Sequence, residues 1–168
     1  MIERIKQVMA QLMAEFARPQ AGFVWDYDPE RYAVKVEMQP SGVKTGWVPL
    51  SSPWVGNGFG MVAGPNIGDM VQLEFIDGHW QAAMTGQRYF TDLAPPPQVP
   101  QGEFWLVHQT GSLIKLHNDG SVEITSNGNM TVTVSGNLNA NISGTATVTA
   151  PTITANGAVT INGSLNVA

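Results

Sequence analysis

The sequence predicts a mainly β fold in which a short N-terminal helix is followed by a small barrel and then by a long, strand-rich tail. Three observations support this class. Short β-type runs alternate with turn residues between positions 21 and 92, all 14 aromatic residues lie at or before Trp105, and apolar residues recur at every second position from Val122 onward. The residues after Glu123 carry no charge, so the tail cannot form an ordinary globular core.

Residues 1–19 are predicted to form an amphipathic helix. The apolar positions follow spacings of three and four, and Pro19 ends the run. These positions are Ile2, Ile5, Met9, Leu12, Met13 and Phe16. Two interpretations of this apolar stripe stay open at this point: it packs on the chain's own barrel, or it docks on another protein.

Residues 20–93 are predicted to form a small closed barrel of the OB type. Turn sequences at 28–30, 40–42 and 77–78 separate five aromatic-rich strands, which are predicted at 22–27, 31–38, 45–50, 69–76 and 81–89. Residues 94–102 hold four of the 11 prolines. We therefore expect a stiff connector there, with a second domain after it.

Residues 103–168 are predicted to form an intertwined, trimeric β-helix. Apolar residues alternate with Asn, Ser and Thr for over 40 positions, and the phase shifts once, at Pro151. A single chain would leave this stripe and both strand edges uncovered, so we expect a homo-oligomer with the apolar side inward. Three chains are the simplest closure, although the spacing alone does not determine the number. The predicted axis residues are Val122, Ile124, Met130, Val132, Val134, Leu138, Ile142, Val148, Ile153, Val159, Ile161, Leu165 and Val167.

The composition excludes several classes of partner. Eight basic and 13 acidic residues give a net charge of −5, so no basic surface is available for nucleic acid. The absence of cysteine removes disulfides and thiolate metal ligands. Charges at Glu3, Arg4 and Lys6, and the lack of a long apolar run, predict neither a signal peptide nor a transmembrane helix. The protein is expected to be cytosolic when made, or to leave the cell by a route other than general secretion.

Several segments resemble a known family of phage-tail proteins. Residues 46–54 (GWVPLSSPW), the glycine loop 56–60, residues 65–78 and residues 86–89 are similar to the OB domain of baseplate assembly protein V of contractile-tailed phages. The type VI secretion spike VgrG carries a similar domain, and residues 110–124 resemble the start of the family's triple-stranded β-helix.

The resemblance implies a homotrimeric central spike of the tail baseplate in the virion. Such a spike binds a hub protein through the N-terminal helix and the OB domain, and it pierces the host outer membrane when the sheath contracts. Some relatives carry a lysozyme domain between barrel and β-helix, but here only the proline connector fills that place, so we expect no enzyme activity. Many relatives bind iron through a C-terminal His-x-His pair. No histidine follows His117, so we expect no metal or cofactor. Two alternatives stay open for the tip, a separate capping protein, which we favour, or a frayed terminus.

Three other groups of residues fit a plain structural role better than a chemical one. The loop Gly56-x-Gly-x-Gly60 lacks a following helix and a Lys-Ser/Thr pair, so a plain loop is preferred to a phosphate site. A turn is the preferred interpretation of the segment that contains Asp26, Asp28 and Glu30, rather than a pair of glycosidase carboxylates. His108 and His117 are expected to be solvated or locally bonded rather than metal ligands.

Two alternative functions remain at the level of sequence. An OB barrel on an oligomeric stalk fits an adhesin-like carbohydrate-binding module, with sugars stacking on Trp25, Trp47, Trp54 or Trp80. The same architecture also fits the spike of a type VI secretion system or of a bacteriocin particle.

Overall fold

The chain was analysed as a computed structural model, which describes residues 1–165, with side chains for residues 1–9 and 16–165. Helix α1 spans Ile2–Glu15 and is followed by the strands β1 (Gln20–Asp28), β2 (Ala33–Met38), β3 (Val48–Pro49), β4 (Val55–Gly56), β5 (Phe59–Gly60), β6 (Met70–Phe75), β7 (Ala83–Tyr89), β8 (Phe104–Val107), β9 (Leu113–Leu116) and β10 (Val122–Thr125). The predicted mainly β class is confirmed. No helix in the described part of the chain is long and apolar enough to cross a membrane.

Helix α1 is joined to the barrel at its C-terminal end. Phe16 leaves the helical conformation, and the backbone N–H of Ala17 donates to the carbonyl oxygen of Gly78 at 2.8 Å. Gly78 has φ +74°, and a Cβ there would lie 2.5 Å from the Phe16 ring. A residue with a side chain would be strained at position 78 and would displace Phe16, so glycine is required at this junction.

The barrel is a curled antiparallel sheet in the order β3-β2-β1-β6-β7. Alternate residues of its strands point inward, and bulges between Val24 and Asp26 and between Val71 and Leu73 increase its curvature. The buried core consists of Val24, Val34, Val36, Met38, Val48, Val71 and Leu73. All five predicted strands are present, although the third is reduced to Val48–Pro49. This arrangement is consistent with the predicted OB fold.

Hydrogen bonds through Thr85 join the two outer strands of this sheet. Its hydroxyl accepts from the backbone N–H of Ser51 at 2.8 Å and donates to the carbonyl oxygen of Pro49 at 3.1 Å. The Ser51 hydroxyl donates to the carbonyl oxygen of Gly86 at 2.6 Å. Side chains therefore replace ladder hydrogen bonds where β3 and β7 meet, and Thr85 is only 3% exposed there.

A second, three-stranded sheet follows residues 94–102. Its order is β10-β9-β8, and both pairings are antiparallel. Within the described residues, 126–165 form no strand. Strand hydrogen bonds need a neighbouring strand, which a single chain does not supply here. The intertwined β-helix therefore stays a prediction. Val167 of the predicted axis, like the side chains of Leu12 and Met13 of the predicted helix stripe, lies outside the described residues.

Candidate functional site

The three-stranded sheet presents an uncovered apolar face. Two rows of side chains cross it: Phe104, Leu116 and Val122 are directly paired, and Leu106, Ile114 and Ile124 form the next row. All six residues are between 41% and 61% exposed. Because they occupy alternate positions of neighbouring strands, they form one continuous surface.

The opposite face of the same sheet has one row of polar contacts, beside a second row that contains the apolar pair Val107 and Leu113. Lys115 Nζ lies 3.1 Å from Glu123 Oε2 and 4.6 Å from the centre of the Trp105 ring. The Trp105 indole N–H donates to Glu103 Oε2 at 2.8 Å, and His117 Nδ1 lies 3.0 Å from the same oxygen. The side chains of Glu103 and Lys115 are only 11% and 18% exposed.

The pKa values of the two glutamates reflect these contacts. The hydrogen bond from Lys115 lowers the pKa of Glu123 and outweighs partial burial, which raises it. At Glu103, burial raises the pKa, but hydrogen bonds from Trp105, from the Asn118 backbone and from His117 together hold it below its usual range. Both carboxyl groups are therefore ionised and paired at neutral pH.

The two faces of the sheet differ in character. Lys115 pairs with Glu123 on one face, whereas six large apolar side chains are exposed on the other. Burying apolar surface is the main favourable contribution to folding and association, so a contiguous exposed patch of this kind is a candidate interface. A partner that covers this face stays a prediction.

The exposed apolar positions continue into the tail. Within the described residues, every predicted axis residue from Val122 to Leu165 is exposed, with values from 45% at Val134 to 74% at Leu138. As far as Val148 these residues occupy even positions, as do Phe104, Leu106, Ile114 and Leu116 of the sheet. The face of the sheet and the stripe of the tail therefore have the same parity. Their place on a trimer axis stays a prediction.

Two glycines of the tail adopt backbone conformations that favour glycine. Gly157 has φ +135° and Gly163 has φ +151°. Gly136 and Gly144 lie in the same tail, and no heavy atom lies within 4 Å of the position that a Cβ would take at either residue. The space beside these two glycines is open in a single chain.

His108 and His117 make local contacts, which agrees with the sequence-based expectation for these two residues. His108 Nδ1 lies 2.8 Å from the Thr110 hydroxyl oxygen, and His117 contacts Glu103 and Glu123. Among the residues that the structure describes, no three His, Asp or Glu side chains gather as a metal site.

The two other candidate sites in the barrel agree with their plainer interpretations. Asp28 accepts hydrogen bonds from the backbone N–H groups of Glu30 and Arg31, as in a turn, and Asp26 pairs with Lys35 at 2.9 Å. The glycine loop forms the β4–β5 hairpin, and the chain then runs to strand β6 rather than into a helix.

The tryptophans proposed for sugar stacking differ in accessibility. Lys35 and Lys44 lie 4.9 and 4.4 Å from the centre of the Trp25 ring, and Lys35 also lies 4.3 Å from that of Trp47. These lysines occupy ring faces on which a sugar would stack. Trp54 and Trp80 are more exposed, and each contacts a phenylalanine edge-on. The carbohydrate alternative is thus least favoured at Trp25, over which two lysines lie.

Sequence reasoning missed two features of this surface. The predicted axis began at Val122, although Phe104, Leu106, Ile114 and Leu116 belong to the same apolar face. Their shared even parity was the signal that would have found them. It also missed the uncharged segment 45–68, in which Trp54, Val55, Phe59, Met61 and Val62 are exposed.

Comparison with known proteins agrees with this geometry. Residues 20–89 match the family described as "Type VI secretion system/phage-baseplate injector OB domain". These residues cover the five-stranded barrel from the first residue of β1 to the last of β7. The barrel of this chain is therefore similar to the OB domain of phage-baseplate and type VI secretion injectors.

One curated relative extends the match beyond the barrel family. The chain is 30% identical over 102 residues to the "Actin cross-linking toxin VgrG1" of Vibrio cholerae serotype O1 (strain ATCC 39541 / Classical Ogawa 395 / O395). The match covers 60% of this chain and 8% of the relative. This chain is thus similar to a small part of that protein, and the actin cross-linking in the relative's name refers to the relative.

Proposed function

We propose that this chain is the structural central spike of a contractile tail baseplate and that it acts as a homotrimer. The observation that carries the proposal is the uncovered apolar face of β8, β9 and β10. Its residues occupy even-numbered positions, and so do the exposed apolar residues of the tail as far as Val148. Two further copies would cover this face by presenting the same face to a common axis. The similarity of the barrel to the injector OB domain supports this choice.

The proposed trimer suits an axial load. Three chains that pair with one another supply the backbone hydrogen bonds that residues 126–165 lack alone, so bending would require many bonds to break together. With the apolar positions inward, the outer surface of the shaft consists of Thr, Ser and Asn without charge. Such a surface costs less to move past lipid than ions do, since a charge costs at least about 2.5 kcal/mol at mid-bilayer. We propose the host outer membrane as the barrier that is pierced on sheath contraction.

The other end of the molecule is proposed to hold the spike in the baseplate. The barrel and helix contain nearly all the aromatic residues and most of the charge, and segment 45–68 adds an uncharged, exposed apolar surface. We propose that this end contacts a hub protein at the centre of the baseplate. The separate protein that caps the tip stays a prediction.

The proposed role is mechanical rather than enzymatic. The carboxylates considered for catalysis are engaged in a turn and an ion pair, and the connector 94–102 is too short for a hydrolase domain. The VgrG relative also supports a spike of a type VI secretion system or of a bacteriocin particle. These devices share the proposed architecture and differ in the particle that carries the spike.

Antibody labelling of particles tests the proposed location. Antibodies raised against this protein should label the baseplate end of contractile particles from cells that encode it, and sheath and tube genes should lie beside its gene. Particles carrying Val132→Asp should fail to enter the host, whereas those carrying Thr133→Asp should enter normally. Label on the cell surface, or entry unaffected by Val132→Asp, would contradict the proposal.

A further inference from the structure

Helix α1 leaves its apolar side chains uncovered. Met1, Ile2, Ile5, Val8 and Met9 are all exposed, and a groove along this side is lined by helix residues alone. The interpretation in which the stripe packs on the chain's own barrel is therefore not supported for these residues. The contact that joins helix and barrel lies instead at its C-terminal end, from Ala17 to Gly78.

The spacing of this stripe is that of a coiled-coil seam. Ile2, Ile5 and Met9 are separated by three and then four residues, and the sequence places Leu12 three residues further on. With Ile2 at position a of a heptad, Ile5 takes d, Met9 takes the next a and Leu12 the next d. Isoleucine at both a and d favours three or four strands over two.

The residues beside the seam also favour more than two helices. Val8 occupies position g and Met13 position e in this heptad register. Apolar residues at e and g widen the seam beyond the strict a and d stripe of a two-stranded coil. Glu3 lies at b, on the outer side, and pairs with Lys6 at 3.0 Å within the helix. Lys6 takes the first e position, and Arg4, at c, lines one edge of the apolar groove.

The charge of the helix permits self-association. Residues 1–16 contain two acidic and two basic side chains, whereas the whole chain carries a net charge of −5. Three copies of the helix thus meet without the net repulsion that the rest of the chain would impose. A second and a third copy of this chain are the occupants that fit the seam.

The length of α1 explains why it needs the trimer. A 14-residue helix is marginal in water by itself, because isolated helices shorter than about 12–15 residues gain too little to offset nucleation. Tethering three helices to barrels on one axis raises their effective concentration to the order of millimolar. The three helices would then be parallel, since each starts from the same end of its barrel.

We infer that the N-terminal helices of three copies form a parallel three-stranded coiled coil on the axis of the spike. This inference rests on the proposed trimer. The a and d positions close against one another, and the hub then meets the polar outer side of the coil and the barrels. The coil locks the trimer at the end opposite the shaft.

Cysteine cross-linking in the full-length protein tests the inference. The chain has no cysteine, so Met9→Cys and Ile5→Cys each introduce a single thiol into the seam. Gln7→Cys, at the outer position f, is the matched control. Under mild oxidation, or with a short bismaleimide, both seam variants should form covalent dimers on a denaturing gel in more than half of the chains. The Gln7→Cys variant should remain at least tenfold less linked.

The outcomes separate this inference from the proposed function. A trimeric mass by light scattering with no linkage at either seam position, as expected if the hub binds the seam, would overturn the coiled coil and leave the trimer intact. A monomeric mass for the unmodified protein would overturn the proposed spike itself. Equal linkage of Gln7→Cys and Met9→Cys would also overturn the coil, because it would show no preferred side of the helix.

Discussion

Replacing Val132 by aspartate distinguishes a closed trimeric shaft from a free single strand. Val132 is 63% exposed in the single chain, and full burial of such a side chain contributes about 1.5–3 kcal/mol. Closing the shaft over the remaining surface therefore contributes about 1–2 kcal/mol per chain, or about 3–6 kcal/mol per trimer. The Val132→Asp variant loses this contribution and places three carboxylates at the axis.

The carboxylates enlarge the effect. Removing an unpaired ion from water costs several kcal/mol even after relaxation, so the total loss is about 10 kcal/mol or more per trimer. At about 1.4 kcal/mol for each factor of ten, assembly weakens by roughly seven orders of magnitude. Thr133 is also exposed in the single chain, but its odd position keeps an introduced aspartate in water, where substitutions cost about 0.5 kcal/mol or less.

Size-exclusion chromatography with light scattering measures the difference. At micromolar concentration we expect the Val132→Asp variant to be a monomer and the Thr133→Asp variant to be a trimer like the parent protein. Ile161→Asp and Thr160→Asp, on the other side of the phase shift at Pro151, should behave in the same two ways. Equal responses from both members of a pair would refute the parity argument.

Three other predictions concern the barrel, the second sheet and activity. Thr85→Val removes a buried hydroxyl that bonds both Ser51 and Pro49, and the loss of these two hydrogen bonds should lower the free energy of unfolding of the barrel by about 1–3 kcal/mol in urea; Ser41→Ala, whose two contacts are 3.5 and 3.4 Å long, should not, and equal midpoints would contradict the closure described here. The pKa values of Glu103 and Glu123 are lower in the folded sheet, so their ionised carboxylates stabilise the sheet above the usual glutamate pKa of about 4.3, and this stabilisation is lost as the pH falls through the lowered pKa values. Thermal melting measured against pH should show that loss, and the Glu123→Gln variant should show a smaller loss. Peptidoglycan zymography of the purified protein should show no clearing. Clearing that disappears with Asp26→Asn or Asp28→Asn would contradict the expectation that the protein has no enzyme activity.

The barrel was predictable because its signals are local. In β2, Val34, Val36 and Met38 alternate with charged residues, and their burial follows that alternation. The closure through Thr85 was not predictable, because it joins residues 34 to 36 positions apart and one threonine among many carries no pattern. The hairpin β4–β5 was expected only as a loop, since its two-residue strands are too short to show a period.

The candidate site was predictable in part for a similar reason. The alternation of apolar and polar residues identified the apolar positions of the tail. Those predicted axis residues that lie within the described part of the chain are exposed. The sheet residues Phe104 to Leu116 were missed, because the turn at Gly111 interrupts the alternation between β8 and β9. Strand pairing in the tail depends on groups in other chains, which a single chain does not contain.

Amide hydrogen exchange of residues 126–165 in the full-length protein tests the central claim most directly. In the single chain these residues form no strand, so their amide groups would exchange at the rate of an unstructured peptide. If three chains intertwine there, each amide is paired with a neighbouring chain and opens only when the shaft opens. We predict protection of these peptides by several orders of magnitude, comparable with that of the barrel core. Complete exchange within seconds at neutral pH would contradict the trimeric shaft.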